Sequence, residues 1–415
     1  MQMIEIGEVC EVYDGPHATP KKIDDGPIYL GIDAITDEGK INPMGYSYLS
    51  EDDFLRWTKR VTPQYGDLVF SYEATLGRYA LIPKGFHGCL GRRLAVVRPK
   101  DERINIRWLY YFFLSPAWKA FIDNNTVKGS TVNRISIEDF PKFKIPLIDR
   151  LEQDRIAAVL SALDDKIDNN IAVNDNLENQ IQTIYDYWFS QFDFPNSDGN
   201  PYKLNGGLLE WKKTLQCSIP PNWSVGSVAK NSLTKFIKPG VDVFESKTYL
   251  ATADIKGSAI SEGTVIDYEN RESRANMQPT EYSVWFAKMK NSIKHLYLNP
   301  EMYPIIEQSI LSTGFCGLQC DEKSFEYVSS YIASPYFELH KDMLAHGATQ
   351  EAVNNDDLAG IHLLIPDNNT LEKYHETTQP IYAQIAKNIC ENKELKKLRD
   401  WLLPMLMNGQ ATIKD

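Results

Sequence analysis

The sequence lacks any long apolar run. Its longest dense apolar stretch, Tyr110 to Leu114, is far too short to cross a bilayer. The opening residues, Met1 to Ile6, lack the basic region and apolar core of a secretory signal. We therefore expect a soluble, cytoplasmic protein with no membrane partner.

Cysteine is scarce, and the cysteines show no framework spacing. They are Cys10, Cys89, Cys217, Cys316, Cys320 and Cys390. Scattered cysteines in a long chain are typical of reduced thiols. The only close pair, Cys316 and Cys320, has no second Cys/His pair at zinc-ligand spacing, so we expect two half-buried thiols and no metal site.

The chain also lacks the basic excess that is normal for a simple DNA-binding domain. Its formal net charge is −12. Residues 1–147 hold 19 basic and 19 acidic side chains, whereas residues 148–200 hold 3 and 11. A local basic run consists of Arg92, Arg93, Arg98, Lys100, Arg103 and Arg107. If the chain binds DNA, its non-specific attraction to phosphate is weak and a basic partner must supply much of it.

The chain is one unit written twice, with a period near 218–220 residues. The matched pieces are Ile6-Gly7-Glu8-Val9 with Val225-Gly226-Ser227-Val228, Tyr29-Leu30 with Tyr249-Leu250, Ile35 with Ile255, Leu114-Ser115-Pro116 with Ala333-Ser334-Pro335, Gly129-Ser130-Thr131 with Gly347-Ala348-Thr349, and Glu138-Asp139-Phe140 with Asp356-Asp357-Leu358. Because these pieces recur in order at a nearly constant offset, chance does not explain them.

Each repeat has two parts. Residues 1–147 and 221–366 contain short β-type runs such as Asp67 to Phe70, broken by turns, together with helical stretches. Both read as mixed α/β domains. Residues 148–190 and 367–415 read as long helices, and residues 191–220 read as a turn-rich connector.

Both long helices carry a heptad seam of apolar side chains interrupted by two asparagines. The predicted pairing residues are Leu163, Ile167, Asn170, Asn174 and Leu177 on the first helix, and Ile381, Ile385, Asn388, Asn392 and Leu395 on the second. A single such stripe usually docks on its own domain. Two matched stripes favour an antiparallel pair, in which the buried asparagines fix the register.

The pair predicts a spacer between the domains. About 35 helical residues span about 50 Å at 1.5 Å per residue, between one and two turns of B-DNA. We predict that replacing Asn170 and Asn388 together by Leu makes the pair more stable but less uniquely registered.

These features resemble the specificity (S) subunits of type I restriction-modification systems, over the whole chain. The signatures are Gly129-Ser130-Thr131-Val132, Ile145-Pro146-Leu147, Leu151-Glu152-Gln153, Trp188-Phe189, Phe192-Asp193-Phe194-Pro195, Pro201-Tyr202-Lys203, Gly206-Gly207 and Ile219-Pro220-Pro221-Asn222-Trp223. The second copy departs from the pattern, because Ile365-Pro366 arrives two residues late and Leu371-Glu372-Lys373 replaces Leu-Glu-Gln.

The resemblance implies an α+β fold: two target-recognition domains in a pseudo-two-fold repeat, separated by two long antiparallel coiled-coil helices. It implies a bipartite target in double-stranded DNA, one half-site for each domain. It also implies two adenine methyltransferase (M) subunits as partners and, in the full complex, two ATP-dependent restriction (R) subunits. S-adenosylmethionine, ATP and Mg²⁺ would then belong to those partners, and this chain would hold no cofactor.

The motifs of those partner activities are absent from the sequence. It has no Asn/Asp-Pro-Pro-Tyr/Phe motif for adenine methylation and no phosphate-binding loop for ATP. Pro366-Asp367 with Glu372-Lys373 superficially suggests a nuclease, but its spacing favours the start of a helix. We expect no catalytic residues.

Candidate base readers are long polar side chains on loops of a rigid scaffold. In the first domain they are Ser71, Tyr72, Thr75, Arg78, Arg92, Arg93, Thr131, Asn133 and Arg134. In the second they are Lys288, Lys290, Asn291, Lys294, His295, Thr349 and Gln350. For the charged clusters, a purely solvated surface stays open. The residues from Thr131 to Arg134, with Thr349 and Gln350, either touch DNA or brace each domain on its helix.

Two other functions remain as alternatives. A two-domain protein–protein adaptor without a DNA role fits the acidity, and charge reversal at Arg92 and Arg93 would then leave DNA-dependent activity unchanged. An enzyme of unrecognised type would bind a cofactor as the isolated chain.

Overall fold

The computed structural model describes residues 2–128, 132–256 and 259–413. The chain divides into two compact units. Unit 1 comprises Met1–Asp165 with Lys396–Asp415, and unit 2 comprises Lys166–Leu395. Each unit combines short strands with helices, which confirms the predicted α+β class.

Unit 1 begins with small sheets and ends in helices. Its strands are β1 (Gln2–Glu5), β2 (Cys10–Asp14), β3 (Ile23–Leu30), β4 (Ser47–Tyr48), β5 (Leu68–Ser71), β6 (Tyr79–Leu81), β7 (Gly88–Leu90), β8 (Leu94–Pro99) and β9 (Lys144–Leu147). Its helices are α1 (Ile6–Val9), α2 (Glu51–Trp57), α3 (Ile106–Leu114), α4 (Pro116–Asn125) and the start of α5 (Arg150–Tyr185).

The four-stranded sheet of unit 1, in the order β2-β8-β5-β6, is covered on both faces. Side chains alternate across a strand. Leu68 and Phe70 of β5 therefore join the aromatic core formed with α3 and α4, while Val69 joins a second cluster with Leu30 and Ile82. This burial explains why Leu68, Val69 and Phe70 of β5 form a continuous apolar run.

Unit 2 has the same layers with more strands. Its strands are β10 (Glu210–Lys212), β11 (Cys217–Ile219), β12 (Ser224–Ser227), β13 (Thr234–Phe236), β14 (Lys247–Leu250), β15 (Ile255–Lys256), β16 (Ala259–Ile260), β17 (Thr264–Ile266), β18 (Ala275–Met277), β19 (Ser283–Ala287), β20 (His295–Leu298), β21 (Ser309–Ser312), β22 (Phe315–Cys320) and β23 (His362–Ile365). Its helices are α6 (Tyr303–Gln308), α7 (Phe325–Ala333), α8 (Pro335–Leu344) and most of α9 (Asn368–Met407).

The two units repeat one strand order. The sheet β2-β8-β5-β6 corresponds to β13-β22-β19-β20, and β4-β3-β7 corresponds to β17-β14-β21. Both units contain a parallel strand pair, β3 with β7 and β14 with β21. The matched Ser115 and Ser334 each cap the following helix by accepting a backbone N–H at 3.3 Å, from Trp118 and Phe337. The internal repeat is therefore a repeat of fold.

The structural register differs from the sequence alignment at two places. Ile6 donates its backbone N–H to Phe143 and Val228 donates to Ile361, each at the end of the equivalent strand pair, so Ile6 corresponds to Val228 and not to Val225. At the helix starts, Leu371 takes the place of Gln153 and not of Leu151, because each donates to the backbone of the capping aspartate four residues earlier. Three-residue matches cannot resolve such shifts.

The first turns of α5 and α9 are stabilised by different contacts. The buried Gln153 side chain donates to the carbonyls of Arg103 and Ile148 at 2.8 and 3.0 Å. Leu371 lies in the core of unit 2 instead. Asp367 accepts from the Thr370 backbone at 3.1 Å and the Thr370 hydroxyl at 2.8 Å, which makes it a helix cap.

The long helices both dock on domain cores and pair with each other. Within unit 1, Ile156 and Leu160 of α5 and Leu403 and Leu406 of α9 join the main core. Within unit 2, Ile181, Tyr382 and Ile385 form a buried cluster against which Leu177 and Ile381 are half-buried. Ile167 is buried, whereas Leu163 and Leu395 are half-buried.

Four buried asparagines join the helices within unit 2. Asn170 donates to Asn392 at 2.9 Å, and Asn388 donates to Asn174 at 2.7 Å. Rising numbers on α5 thus meet falling numbers on α9, so the segments are antiparallel. Because Asn170 corresponds to Asn388 and Asn174 to Asn392 in the repeat, exchanging the copies turns one pair into the other.

This pairing corrects one prediction. Asn170 and Asn388 are not partners, so replacing both leaves Asn392 and Asn174 without their amide partners. We therefore expect that combination to destabilise the pair, contrary to the sequence-based prediction.

The connector packs on unit 2. A short π-helix, Asp186–Ser190, ends the first long helix, and the aromatic side chains of Phe192, Phe194 and Trp223 join the core. Over the described residues, no helix is both long enough and apolar enough to span a membrane.

Candidate nucleic-acid interface

Three loops of unit 1 meet beside the end of β5. We call residues 72–78, 91–93, 127–128 and 132–134 the unit 1 loop cluster. The Tyr72 N–H donates to the Arg93 carbonyl at 3.1 Å, and the Ile135 N–H donates to the Tyr72 carbonyl at 2.8 Å. The Ala74 N–H donates to the Asn133 carbonyl at 3.1 Å. Backbone bonds therefore fix these loops to one another.

Unit 2 builds an equivalent cluster from residues 288–294, 312–314 and 346–353, the unit 2 loop cluster. The Lys288 N–H donates to Gly314 and the Val353 N–H donates to Lys288, each at 3.0 Å. The Lys290 N–H donates to the Glu351 carbonyl at 3.0 Å. These bonds repeat those of unit 1 one for one, although the side chains on the two clusters differ.

Some predicted readers of unit 1 point outward. Thr75, Arg92, Asn133 and Arg134 are exposed. Among the described residues, neither the Arg92 nor the Arg134 guanidinium forms an ion pair or hydrogen bond. Both are available to phosphate or to a base edge.

Two predicted readers of unit 1 are internal, which corrects their assignment. Ser71 is fully buried, and its hydroxyl accepts from the Arg78 backbone at 3.1 Å. Tyr72 lies in the main core, where burial raises the pKa of its hydroxyl to about 12, helped by nearby Asp14 and Glu73. Ser71, at the end of β5, and Tyr72, directly after it, both face the protein interior. Neither side chain is therefore available to DNA.

Two predicted arginines of unit 1 are tied to carboxylates. The Arg78 Nε donates to Asp37 at 2.8 Å and its Nη1 donates to the Ile32 carbonyl at 3.2 Å. The Arg93 Nε lies 3.3 Å from Glu73, and its backbone has φ +82°. We interpret both arginines as side chains that stabilise the loop cluster and not as free contacts for DNA. Thr131 lies outside the described residues.

Two of the three predicted lysines of unit 2 are bound within the protein. Lys290 pairs with Glu351 at 2.7 Å, the Lys294 ammonium donates to the Thr252 carbonyl, and Lys288 is half-buried. Asn291, Thr349 and Gln350 are exposed.

His295 is buried against Glu338 at 2.8 Å and is therefore an internal residue. This corrects its assignment as a DNA contact.

Sequence reasoning missed three exposed side chains at these clusters. Lys128 lies on the unit 1 segment beside Thr126 and Asn133, where they line a shallow cleft. Ile293 is 63% exposed in the unit 2 loop. Arg274 lies beside Gly314 of the unit 2 loop cluster, since a methyl group built on Gly314 would be 3.2 Å from its Nη2. The strand pairing alone brings Arg274 there, so no local pattern signals it.

No metal-binding cluster emerges. Among residues 2–128, 132–256 and 259–413, no three His, Cys, Asp or Glu side chains converge. Cys316 and Cys320 are both buried in the unit 2 core, and burial raises the pKa of the Cys316 thiol to about 12.

This chain is similar to known proteins of one kind. Residues 1–179 match the family model described as the type I restriction modification DNA specificity domain. The chain is 24% identical, over 86% of its length and 80% of the relative, to the type I restriction enzyme MjaIX specificity subunit of Methanocaldococcus jannaschii. It is 20% identical, over 83% of its length and 86% of the relative, to the HindI specificity subunit of Haemophilus influenzae.

A solved structure shows the same fold. The type I restriction-modification S subunit from M. genitalium matches with a TM-score of 0.53 and 15% identity, covering 98% of this chain and 95% of that one. The domain match, the two long alignments and the shared fold agree with the duplicated loop clusters. Residues 1–179 thus match the type I restriction modification DNA specificity domain, and most of the chain is similar to specificity subunits of type I restriction enzymes.

Proposed function

We propose that this chain is the non-catalytic subunit that reads the DNA sequence in a type I restriction-modification complex. Each loop cluster reads one half of a bipartite target in double-stranded DNA, and the paired helices form the spacer and scaffold. The duplicated loop clusters carry this proposal: one backbone framework appears twice with different exposed side chains, as expected for two readers with different preferences.

The remaining roles belong to partners. Two methyltransferase subunits would bind the scaffold and supply adenine methylation with S-adenosylmethionine. Restriction subunits, two in a full complex, would supply ATP- and Mg²⁺-dependent cleavage. The acidity of residues 148–200, with 3 basic and 11 acidic side chains, supports a basic partner surface at the helices.

The test uses the full chain co-purified with its co-expressed methyltransferase subunit. Binding to a library of randomised duplexes, followed by sequencing of the bound DNA, should yield a motif with two conserved parts. Arg92→Glu should weaken binding at least about tenfold, because an exposed cation of the unit 1 loop cluster becomes a repelled anion.

Arg107→Glu is the matched control, because Arg107 is also exposed and lies on α3, outside the loop cluster. It should change binding by less than about twofold. An adaptor without a DNA role would show no selected motif, and neither substitution would then matter.

A further inference from the structure

One loop tip of unit 2 is held by a buried charged cluster that the proposed function leaves unexplained. Lys341 of α8 is completely buried, and its ammonium donates to Glu338 at 2.6 Å and to the Ser292 carbonyl at 3.1 Å. Glu338 also binds His295 at 2.8 Å. A fully buried lysine is rare unless it is paired, so its position has a specific cause.

The cluster holds the loop between β19 and β20 by hydrogen bonds to the loop backbone. Lys341 holds the carbonyl of Ser292, and Asp342, also on α8, accepts the backbone N–H of Asn291 at 3.1 Å. Asn291 has φ +56°, a left-handed conformation that an asparagine tolerates better than most residues. Two adjacent backbone groups are thus bound by the same helix.

The side chains on this fixed tip point outward. Asn291 is exposed, and Ile293 is 63% exposed although it is apolar. An asparagine amide can bind adenine N6 and N7 together, and an aliphatic side chain can contact the methyl group of thymine. The two side chains therefore suit an A·T pair read in the major groove.

Unit 1 has no equivalent of this charged cluster among its described residues. The residue of α4 that corresponds to Lys341 is Ile122, which is buried in the core, and Trp118 donates to the Tyr79 hydroxyl at 2.9 Å nearby. The loop position that matches Asn291 is Thr75, because the preceding residues Ala74 and Lys290 donate the equivalent backbone hydrogen bonds of the two loop clusters. A general need of the fold does not explain the charged cluster, because the same fold is built without it in the first copy.

We propose that Asn291 and Ile293 recognise an A·T base pair in the second half-site, and that Lys341 and Glu338 are positioning residues for this loop tip. The inference rests on the proposed function and names the chemistry of one of its two readers. Asn291 and Ile293 would touch the bases, whereas Lys341 acts through the Ser292 backbone.

The experiment measures sequence preference in each half of the motif separately. Full-length variants co-purified with the methyltransferase subunit are incubated with the randomised duplex library. Asn291→Ala and Ile293→Ala should each relax the preference at one A·T pair about tenfold or more. The other half of the motif should keep its preference.

Lys341→Met combined with Glu338→Gln removes the buried ion pair as a unit, and Asp342, which lies 3.9 Å from the Lys341 ammonium, is 25% exposed to solvent, so the fold should survive. This double variant should lose selectivity at the same base pair as Asn291→Ala, while its melting temperature stays near the parent value. Thr75→Ala is the control at the matched place in unit 1, and it should leave the second half unchanged.

The outcomes separate the inference from the proposed function. If the parent chain selects no bipartite motif, the proposed function fails. If it selects one and the Asn291 and Ile293 variants keep the parental profile, the reading tip is wrong. If the double variant weakens both halves equally, or unfolds, Lys341 and Glu338 are structural residues and the positioning role is wrong.

Discussion

The arginines of the basic run in unit 1 occupy different environments. Arg98 forms a bidentate pair with Asp67, at 2.8 and 2.6 Å, and Asp67 is 3% exposed. Arg103 pairs with Asp101 at 2.8 Å, with both side chains at least 42% exposed. The Arg103 guanidinium holds the pKa of Asp101 at about 2. Neighbouring basic residues therefore differ in what they contribute to stability.

We predict that Arg98→Ala lowers the free energy of unfolding by about 2–3 kcal/mol, because it leaves the buried Asp67 carboxylate without its partner. Arg103→Ala, its matched control, should cost much less than Arg98→Ala, because its pair is exposed to solvent. Urea titration of both variants measures the difference. Equal losses would mean that burial of Asp67 does not matter.

Residue partners of this kind lie beyond what the sequence could predict. Arg98 and Asp67 are 31 positions apart, and their contact depends on β5 pairing with β8. The same limit explains Ser71 and His295, whose polar side chains suggested readers but whose strand positions turn them inward. Exposed loop residues such as Arg92 were identified correctly as exposed because turn chemistry is local.

The long helices were the elements best predicted by sequence, since a heptad seam is a periodic signal over many residues. Their register was not predictable from that signal. The two asparagine pairs are related by the repeat, and each is backed by a longer contact, Asn392 to the Ile167 carbonyl at 3.4 Å and Asn174 to the Ile385 carbonyl at 3.5 Å. One register satisfies all four amides.

A double-mutant cycle tests this pairing. Asn174→Leu alone should lower the free energy of unfolding by about 1–3 kcal/mol, because the Asn388 amide stays buried without its partner. Asn174→Leu with Asn388→Leu should recover most of that loss, because an apolar pair replaces a polar one.

The mismatched double variant, Asn170→Leu with Asn388→Leu, is the control. It breaks both amide pairs, so its loss should equal the sum of the two single losses. Thermal or urea unfolding of the variants measures the coupling. Recovery in the mismatched variant would show that the asparagines do not pair as described.

At the scale of the whole molecule, the negative net charge opposes the proposed binding to DNA. The net charge is −12, yet the proposed function requires binding to DNA, whose phosphate backbone is a polyanion. The structure makes this opposition stronger, because the cationic groups of four predicted DNA contacts are bound within the protein. These residues are Arg78, Arg93, Lys290 and Lys294. The balance of charge can be counted from the sequence, but only the fold shows which cations of the described loop-cluster residues remain available to DNA.

The exposed cations at the two loop clusters are therefore a small set. They include Arg92, Arg134 and Lys128 in unit 1 and Arg274 in unit 2. A protein that neutralises Z phosphates loses affinity with salt at a logarithmic slope of about −0.9Z. A chain with about four such contacts should show a slope no steeper than about −4.

We predict that the isolated chain binds its target duplex with this shallow slope, and that adding the methyltransferase subunit makes it steeper by about 2 or more. Fluorescence anisotropy of a labelled duplex between 50 and 200 mM KCl measures both slopes. Arg92→Ala should reduce the slope of the isolated chain by about 1. A steep slope without the partner would mean that cations now paired inside the protein are released to DNA, which would overturn the division of labour between reader and partner.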